Sequence, residues 1–196
     1  MINIKRLFLV CLTFLLFLNV TNTNAQSLNQ FDENKKRTGA WKKYHPNKRV
    51  RYVGQFKDGK EVGTFKFYSM ISSQFPEAIK KFYQDSDSVS VKYFYLNGTL
   101  KGEGMLLGRK KVGKWVYYYK KKTVFSEEFY QDGKLSGNTK IYFKTNGKLA
   151  EDSEYKDGVL NGVSKVYADT GVLIEEVVYK NGKANGLAKY YELNGN

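Results

Sequence analysis

The chain has 196 residues and a net charge of +14, from 33 lysines and arginines against 19 aspartates and glutamates, with 16 tyrosines but one histidine and one cysteine. Those two single residues exclude a multi-histidine or cysteine metal site and a disulfide framework. The length suits one ordinary domain, and the even spread of aromatic residues predicts a row of small cores.

Residues 1–25 read as a secretory signal peptide. Lys5 and Arg6 precede an almost wholly apolar run from Leu7 to Leu18, and Thr23-Asn24-Ala25 is a small-residue exit, so cleavage is expected after Ala25. The run is shorter than the roughly 20 residues a membrane span needs. Cys11 lies inside it, not at its end, which argues against a lipoprotein. The mature chain is therefore expected to be exported, periplasmic or extracellular, and to lack cysteine. Residues 26–38 form a lead-in.

From residue 39 onward the chain repeats. Gly113, Gly137, Gly162 and Gly186 are 24, 25 and 24 residues apart, Gly39 and Gly63 are again 24 apart, and Val89 lies 24 before Gly113. The units start near 39, 63, 89, 113, 137, 162 and 186. Each has an aromatic five residues after its anchor: Tyr44, Tyr68, Phe94, Tyr118, Tyr142, Tyr167 and Tyr191. A first turn follows, at Asn97-Gly98, Asn146-Gly147, Thr170-Gly171 or Asn194-Gly195. A second strand then runs to a second turn at Asp58-Gly59, Asp132-Gly133, Asp157-Gly158 or Asn181-Gly182. Such pairs tolerate positive φ and close two-residue hairpins. Each unit is thus one hairpin, and because a lone hairpin is marginal in water, the units must stack. The predicted fold is all-β: an elongated, curved, single-layer antiparallel meander of about seven hairpin repeats.

The pattern Gly-x-[Trp/Phe]-x-x-Tyr, then Asn-Gly, then Tyr-x-Asp-Gly resembles the MORN repeat, in the bacterial variant found in exported and antitoxin-like proteins. Its nearest copies are Gly39-Ala40-Trp41-Lys42-Lys43-Tyr44 and Gly113-Lys114-Trp115-Val116-Tyr117-Tyr118. The resemblance implies a sheet that binds proteins or lipids and has no catalysis of its own. An antitoxin or immunity role against a secreted toxin is implied by the resemblance alone, and the basic charge argues against a basic nuclease as its target. The pattern departs from the family in the enlarged unit at 63–88 and at Val89.

Two residue stripes are the candidate sites. Lys42, Lys66, Lys92, Lys140, Lys165 and Lys189 lie three residues after their anchors, with Val116 interrupting. Strand alternation puts them on one face with Tyr44, Tyr68, Tyr118, Tyr142, Tyr167 and Tyr191. This strip suits anionic lipid, glycan or an acidic partner. Alternatively it is sheet electrostatics, because Glu127, Glu128, Glu151, Glu154, Glu175 and Glu176 recur on second strands and a two-residue turn at Thr170-Gly171 would set Lys165 opposite Glu176. Trp41, Phe65 and Trp115 fall on the other face, where core packing is the default. The enlarged unit has an apolar loop over 69–76 with Met70, Ile71 and Phe75, a second candidate binding element.

Catalytic machinery is not expected. His45 sits alone beside Pro46, Glu127 and Glu128 point to opposite faces, and the glycine-rich stretch at Gly98–Gly108 precedes no helix that could receive a phosphate. No cofactor, metal or nucleic acid is expected. The leading functional expectation is a non-enzymatic exported interaction module or scaffold for an unknown protein, with anionic lipid or glycan binding as the alternative and an edge-strand homodimer as a further expectation.

Overall fold

The computed structural model describes residues 27–84 and 86–193. The predicted signal peptide and the Asn194-Gly195 turn lie outside them. Sixteen strands form among the described residues: β1 (Gln30–Phe31), β2 (Arg37–Tyr44), β3 (Val50–Lys57), β4 (Lys60–Phe67), β5 (Ala78–Phe82), β6 (Ser88–Phe94), β7 (Leu100–Leu107), β8 (Lys110–Tyr118), β9 (Val124–Gln131), β10 (Lys134–Leu135), β11 (Gly137–Tyr142), β12 (Leu149–Lys156), β13 (Val159–Tyr167), β14 (Leu173–Lys180), β15 (Lys183–Ala184) and β16 (Lys189–Tyr190). All join one sheet, and pairing follows chain order. Two short strands, β10 and β11, both pair with β9, and β15 and β16 both pair with β14. The predicted meander of hairpins is what forms.

In four of the hairpins the second turn is the two-residue type, whereas in the enlarged unit Phe82 pairs with Val89 across a longer connection. Asp58, Asp132, Asp157 and Asn181 have φ of 52°, 51°, 52° and 51°, and each is followed by a glycine at positive φ. Lys57 accordingly faces Lys60, and Lys156 faces Val159.

The first turns differ from the two-residue hairpins expected. At Tyr95 the amide donates to Thr99 O while the Gly98 amide donates back to Tyr95 O, which encloses three residues. The same pattern recurs between His45 and Arg49, Tyr119 and Thr123, and Ala168 and Val172. Only the last loop residue takes positive φ in these turns, at Lys48, Gly98, Lys122 and Gly171. That is a type I turn closed by a left-handed residue, and it puts a bulge in the strand beside it. The bulges fall between Lys43 and Tyr44, Tyr93 and Phe94, Tyr117 and Tyr118, and Val166 and Tyr167. Each bulge absorbs the odd residue, so Lys165 still faces Glu176 although the turn is one residue longer.

One face carries the aromatic core. Trp41, Phe56 and Phe65 form one buried cluster, with Tyr52, Phe67 and Phe82 packed on it. Val89, Val91 and Trp115 form the next, sharing Phe82. Edge contacts link the rings: Trp41 to Phe56 at 5.5 Å, Phe56 to Phe65 at 5.2 Å and Phe65 to Phe82 at 5.4 Å. A single-layer sheet has no second layer to bury these rings, so glycines beneath them complete the seal. A Cβ on Gly54 would lie 2.4 Å from Phe65, and one on Gly104 would lie 2.3 Å from Trp115. Beyond Trp115 the same face changes character, and its buried positions become Ser126, Thr139 and Ser153 before apolar packing returns at Val177.

Candidate binding faces

The lysine strip is one continuous row of cross-strand partners. Lys42 faces Val53, Val53 faces Lys66, Lys66 faces Ile79 and Ile79 faces Lys92. Lys92 then faces Glu103, Glu103 faces Val116 and Val116 faces Glu127. Glu127 faces Lys140, Lys140 faces Asp152, Asp152 faces Lys165, Lys165 faces Glu176 and Glu176 faces Lys189. From Lys92 onward an acid therefore stands between successive lysines.

Those acids are used. Lys92 lies 3.2 Å from Glu103, Lys140 lies 3.9 Å from Asp152, and Glu176 lies 3.6 Å from Lys165 and 3.1 Å from Lys189. Glu127 takes its closest partner, Lys114 at 2.7 Å, from the neighbouring position of β8. A hydrogen bond from Lys114 is the main cause holding the Glu127 carboxyl below its ordinary value. A hydrogen bond from Lys189 does the same for Glu176. The tyrosines of this face join the ladder: the Tyr118 hydroxyl donates to Glu103 at 2.9 Å and the Tyr142 hydroxyl donates to Glu127 at 3.3 Å. Burial, then the bond to Glu103, raises Tyr118 to about 12. A partly exposed cross-strand pair such as Lys92 with Glu103 stabilises by roughly 0.2 to 1 kcal/mol.

Lys42 and Lys66 are different. Their neighbours in the row are apolar, the Lys42 ammonium rests over the Tyr44 ring at 5.4 Å, and a shallow hollow lined by Ala40, Val53, Gln55 and Thr64 lies between them. In the enlarged unit, Met70 and Ile71 are exposed, while Phe75 packs on Gly98 and Asn47 Nδ2 donates to Met70 O at 2.9 Å. The His45 Nε2–H donates to the backbone oxygen of Tyr68 at 2.9 Å, which ties the same loop to the first hairpin.

On the opposite face, cations of the chain itself cap the two tryptophans. The Arg37 guanidinium lies 5.7 Å from the Trp41 ring centre and 4.1 Å from that of Phe56. The Lys111 ammonium lies 4.9 Å from Trp115, 5.1 Å from Tyr117 and 4.5 Å from Tyr130, and donates to the Tyr117 and Tyr130 hydroxyls. Tyr130 in turn donates to Glu128 at 2.6 Å, and Ser126 donates to the other oxygen of Glu128 at 2.9 Å. The hydroxyl region continues with Ser153, which donates to Glu151 at 2.6 Å and lies 2.8 Å from Ser164. Thr139 faces Ser153, and its buried Oγ1 has no hydrogen-bond partner.

A family model described as a MORN repeat variant matches residues 37–58 and 160–181. These two hairpins are similar to MORN repeats. The two matched stretches lie at opposite ends of the array, and each spans one hairpin from two residues before an anchor glycine to the second turn. No curated protein matches the chain. MORN repeats commonly serve as protein- or lipid-binding modules. In that light the two faces offer different chemistry: a charge-paired lysine ladder on one, and on the other an aromatic core that gives way to hydroxyls and carboxylates.

Sequence reasoning placed the lysines and tyrosines on a common face but did not single out Arg37, Lys111, Glu128, Glu151 or Thr139 as members of the aromatic face. A signal for the two cations was present. Arg37 precedes Trp41 and Lys111 precedes Trp115 by the same four residues, an even spacing that keeps both members of each pair on one face.

Proposed function

We propose that this MORN-like repeat protein is an exported, non-enzymatic interaction module that binds another protein in the cell envelope or outside the cell, and that it does so through the aromatic and hydroxyl face. The observation that carries this reading is the neutralisation of the lysine row. With Glu103, Glu127, Asp152 and Glu176 interleaved, the row from Lys92 to Lys189 has little net field to attract a polyanion. The opposite face has half-buried tyrosines and carboxylates that form no ion pair among the described residues, the features that give a protein partner both area and direction.

The test is site-specific photo-crosslinking in the native host, with the crosslinker at Tyr155 on the aromatic face or at Val116 in the lysine row. A discrete crosslinked protein at Tyr155 and none at Val116 is expected. Crosslinks at Val116 alone would move the site to the other face. N-terminal sequencing of the exported protein, expected to start after Ala25, tests the export part of the reading.

A second reading has its own observation, the unneutralised pair Lys42 and Lys66. Anionic headgroups would bind there, where each lysine near an anionic surface contributes about 1 kcal/mol. Co-sedimentation with anionic but not neutral liposomes, lost in the Lys42→Ser/Lys66→Ser variant and retained in the Lys165→Ser variant, is the result that reading requires.

A further inference from the structure

In the two units that hold a tryptophan, the chain supplies its own cation two residues before the anchor glycine, Arg37 before Gly39 and Lys111 before Gly113. In the units that follow, that position is Leu135, Leu160 and Ala184, and the tryptophan position becomes Thr139 or Ser164. The far aromatic persists as Tyr155 and Tyr179. Carboxylates now accompany it: Glu151 and Glu175 face the same side, and neither forms an ion pair with any described residue. Among the described residues Glu128 likewise forms no ion pair and accepts from the hydroxyls of Ser126 and Tyr130. The site around Lys111 is therefore repeated without its ammonium.

A second observation points the same way. Thr139 is 6% exposed and its Oγ1 has no partner. The register that sets Lys140 against Glu127 puts Thr139 beside Glu128, and Thr139 directly faces Ser153, whose hydroxyl is engaged with Glu151. A hydroxyl left unmade at a buried position destabilises the fold unless something completes it. Tyr155 lies close enough to both Glu151 and Glu128 for their charges, after burial, to raise its pKa.

We propose that Glu128, Glu151 and Glu175, with Tyr130, Tyr155 and Tyr179, form the docking site for a cationic extended segment of a partner protein, with a lysine or arginine at every third residue. This rests on the interaction-module reading above and names the partner's chemistry. Charge complementarity selects the occupant: these carboxylates form no ion pair among the described residues, and the ammonium of Lys111 shows how the tyrosines hold a cation. Spacing selects its conformation. Glu151 and Glu175 both face Val166 and so occupy one row two strands apart, about 9.6 Å at ~4.8 Å per strand, and Tyr155 and Tyr179 each lie four residues further along the same two strands. A polyproline II segment rises about 9.3 Å in three residues and presents every third side chain on one side, and such segments dock on aromatic grooves. Glu128 stands two residues along its strand from the Glu151 row and closes the end of the track next to Lys111.

The experiment is fluorescence anisotropy on the purified chain with a labelled peptide of four Lys-Pro-Pro repeats. Compared with it are a peptide with the same four lysines spaced every fourth residue and one with glutamate in place of lysine. Binding of the first peptide, weaker binding of the second and none of the third are expected. The Glu128→Gln/Glu151→Gln/Glu175→Gln variant, shown folded by circular dichroism, should lose affinity about tenfold or more, while Lys42→Ser/Lys66→Ser binds as the parent. Equal affinity for the two lysine spacings, or full affinity in the triple variant, overturns the proposal. If Tyr155 still crosslinks a partner protein while no peptide binds, the cationic segment is wrong and the interaction module stands. If the peptide binds as described but Tyr155 crosslinks nothing in the host, the site holds and the envelope partner falls.

Discussion

The ammonium of Lys111 lies 4.5 Å from the ring centre of Tyr130 and 3.2 Å from its hydroxyl, and that hydroxyl gives its proton to Glu128. One tyrosine thus separates a cation from a carboxylate, stacking under the first and bonding the second. Lys111→Met keeps most of the apolar stem but removes the charge. A partly desolvated cation over rings is worth roughly 0.5 to 2 kcal/mol, which for a chain of this size lowers Tm by about 2 to 4 °C per kcal/mol. A thermal scan in which Lys111→Met matches the parent would show that the ammonium adds nothing to the fold.

Gly104 and Trp115 make a second pairing that mutation can isolate. Because a Cβ at Gly104 would sit 2.3 Å from the indole, Gly104→Ala forces the ring to move and is expected to cost about 1 to 3 kcal/mol. In a Trp115→Leu background the obstacle is gone, and the same substitution should cost almost nothing, since alanine is otherwise the better strand residue. Denaturant melts of the four proteins give the coupling directly. Equal costs in both backgrounds would mean that the glycine is there for another reason.

Much of this was legible in the sequence. The Asp-Gly and Asn-Gly second turns, the 24-residue spacing and the two-residue alternation were enough to give the meander and to separate Trp41, Phe65 and Trp115 from the lysine row. What misled was the first turn. Asn97-Gly98 and Thr170-Gly171 look like two-residue turns, yet Asn97 and Thr170 stay at negative φ and only the glycine turns left-handed. The bulge between Val166 and Tyr167 compensates, which is why the Lys165–Glu176 pairing was predicted for a turn that does not form. The alternation also placed Glu127 and Glu128 on opposite faces, but the conclusion that Glu128, Glu151 and Glu175 form no ion pair among the described residues needed the side-chain positions. So did the orphan hydroxyl of Thr139, because no local pattern records what a side chain fails to meet.

The ion pair of Lys114 and Glu127 predicts an acid limb of stability. Lys114 lowers the folded-state pKa of Glu127 below its ordinary 4.5, so the unfolded chain binds this proton more readily than the folded one. The contribution is fully present above about pH 4.5 and is lost as pH falls through the lower folded value. As the pair is partly exposed, it is worth no more than about 1 kcal/mol. Lys114→Met should reduce Tm at pH 6 and narrow the gap from the parent as pH falls towards 3. A gap that is unchanged or wider at pH 3 would contradict the assignment.

Thr139→Val separates folding from binding at the hydroxyl region. The replacement has nearly the shape of threonine and removes a buried oxygen that has no partner in the free protein. Leaving such a group unsatisfied costs roughly 1 to 3 kcal/mol, so the valine chain should melt higher, by an amount at the lower end of that range once rotamer preferences are included. If the same oxygen completes a contact with a cationic segment lying across Glu128 and Glu151, the stabilised variant should also bind the Lys-Pro-Pro peptide more weakly. The two changes then have opposite signs, which a general loss of structure cannot produce. A variant that is more stable and binds equally well would make Thr139 a packing defect and take it out of the site. One that is less stable would show that the hydroxyl is satisfied in solution.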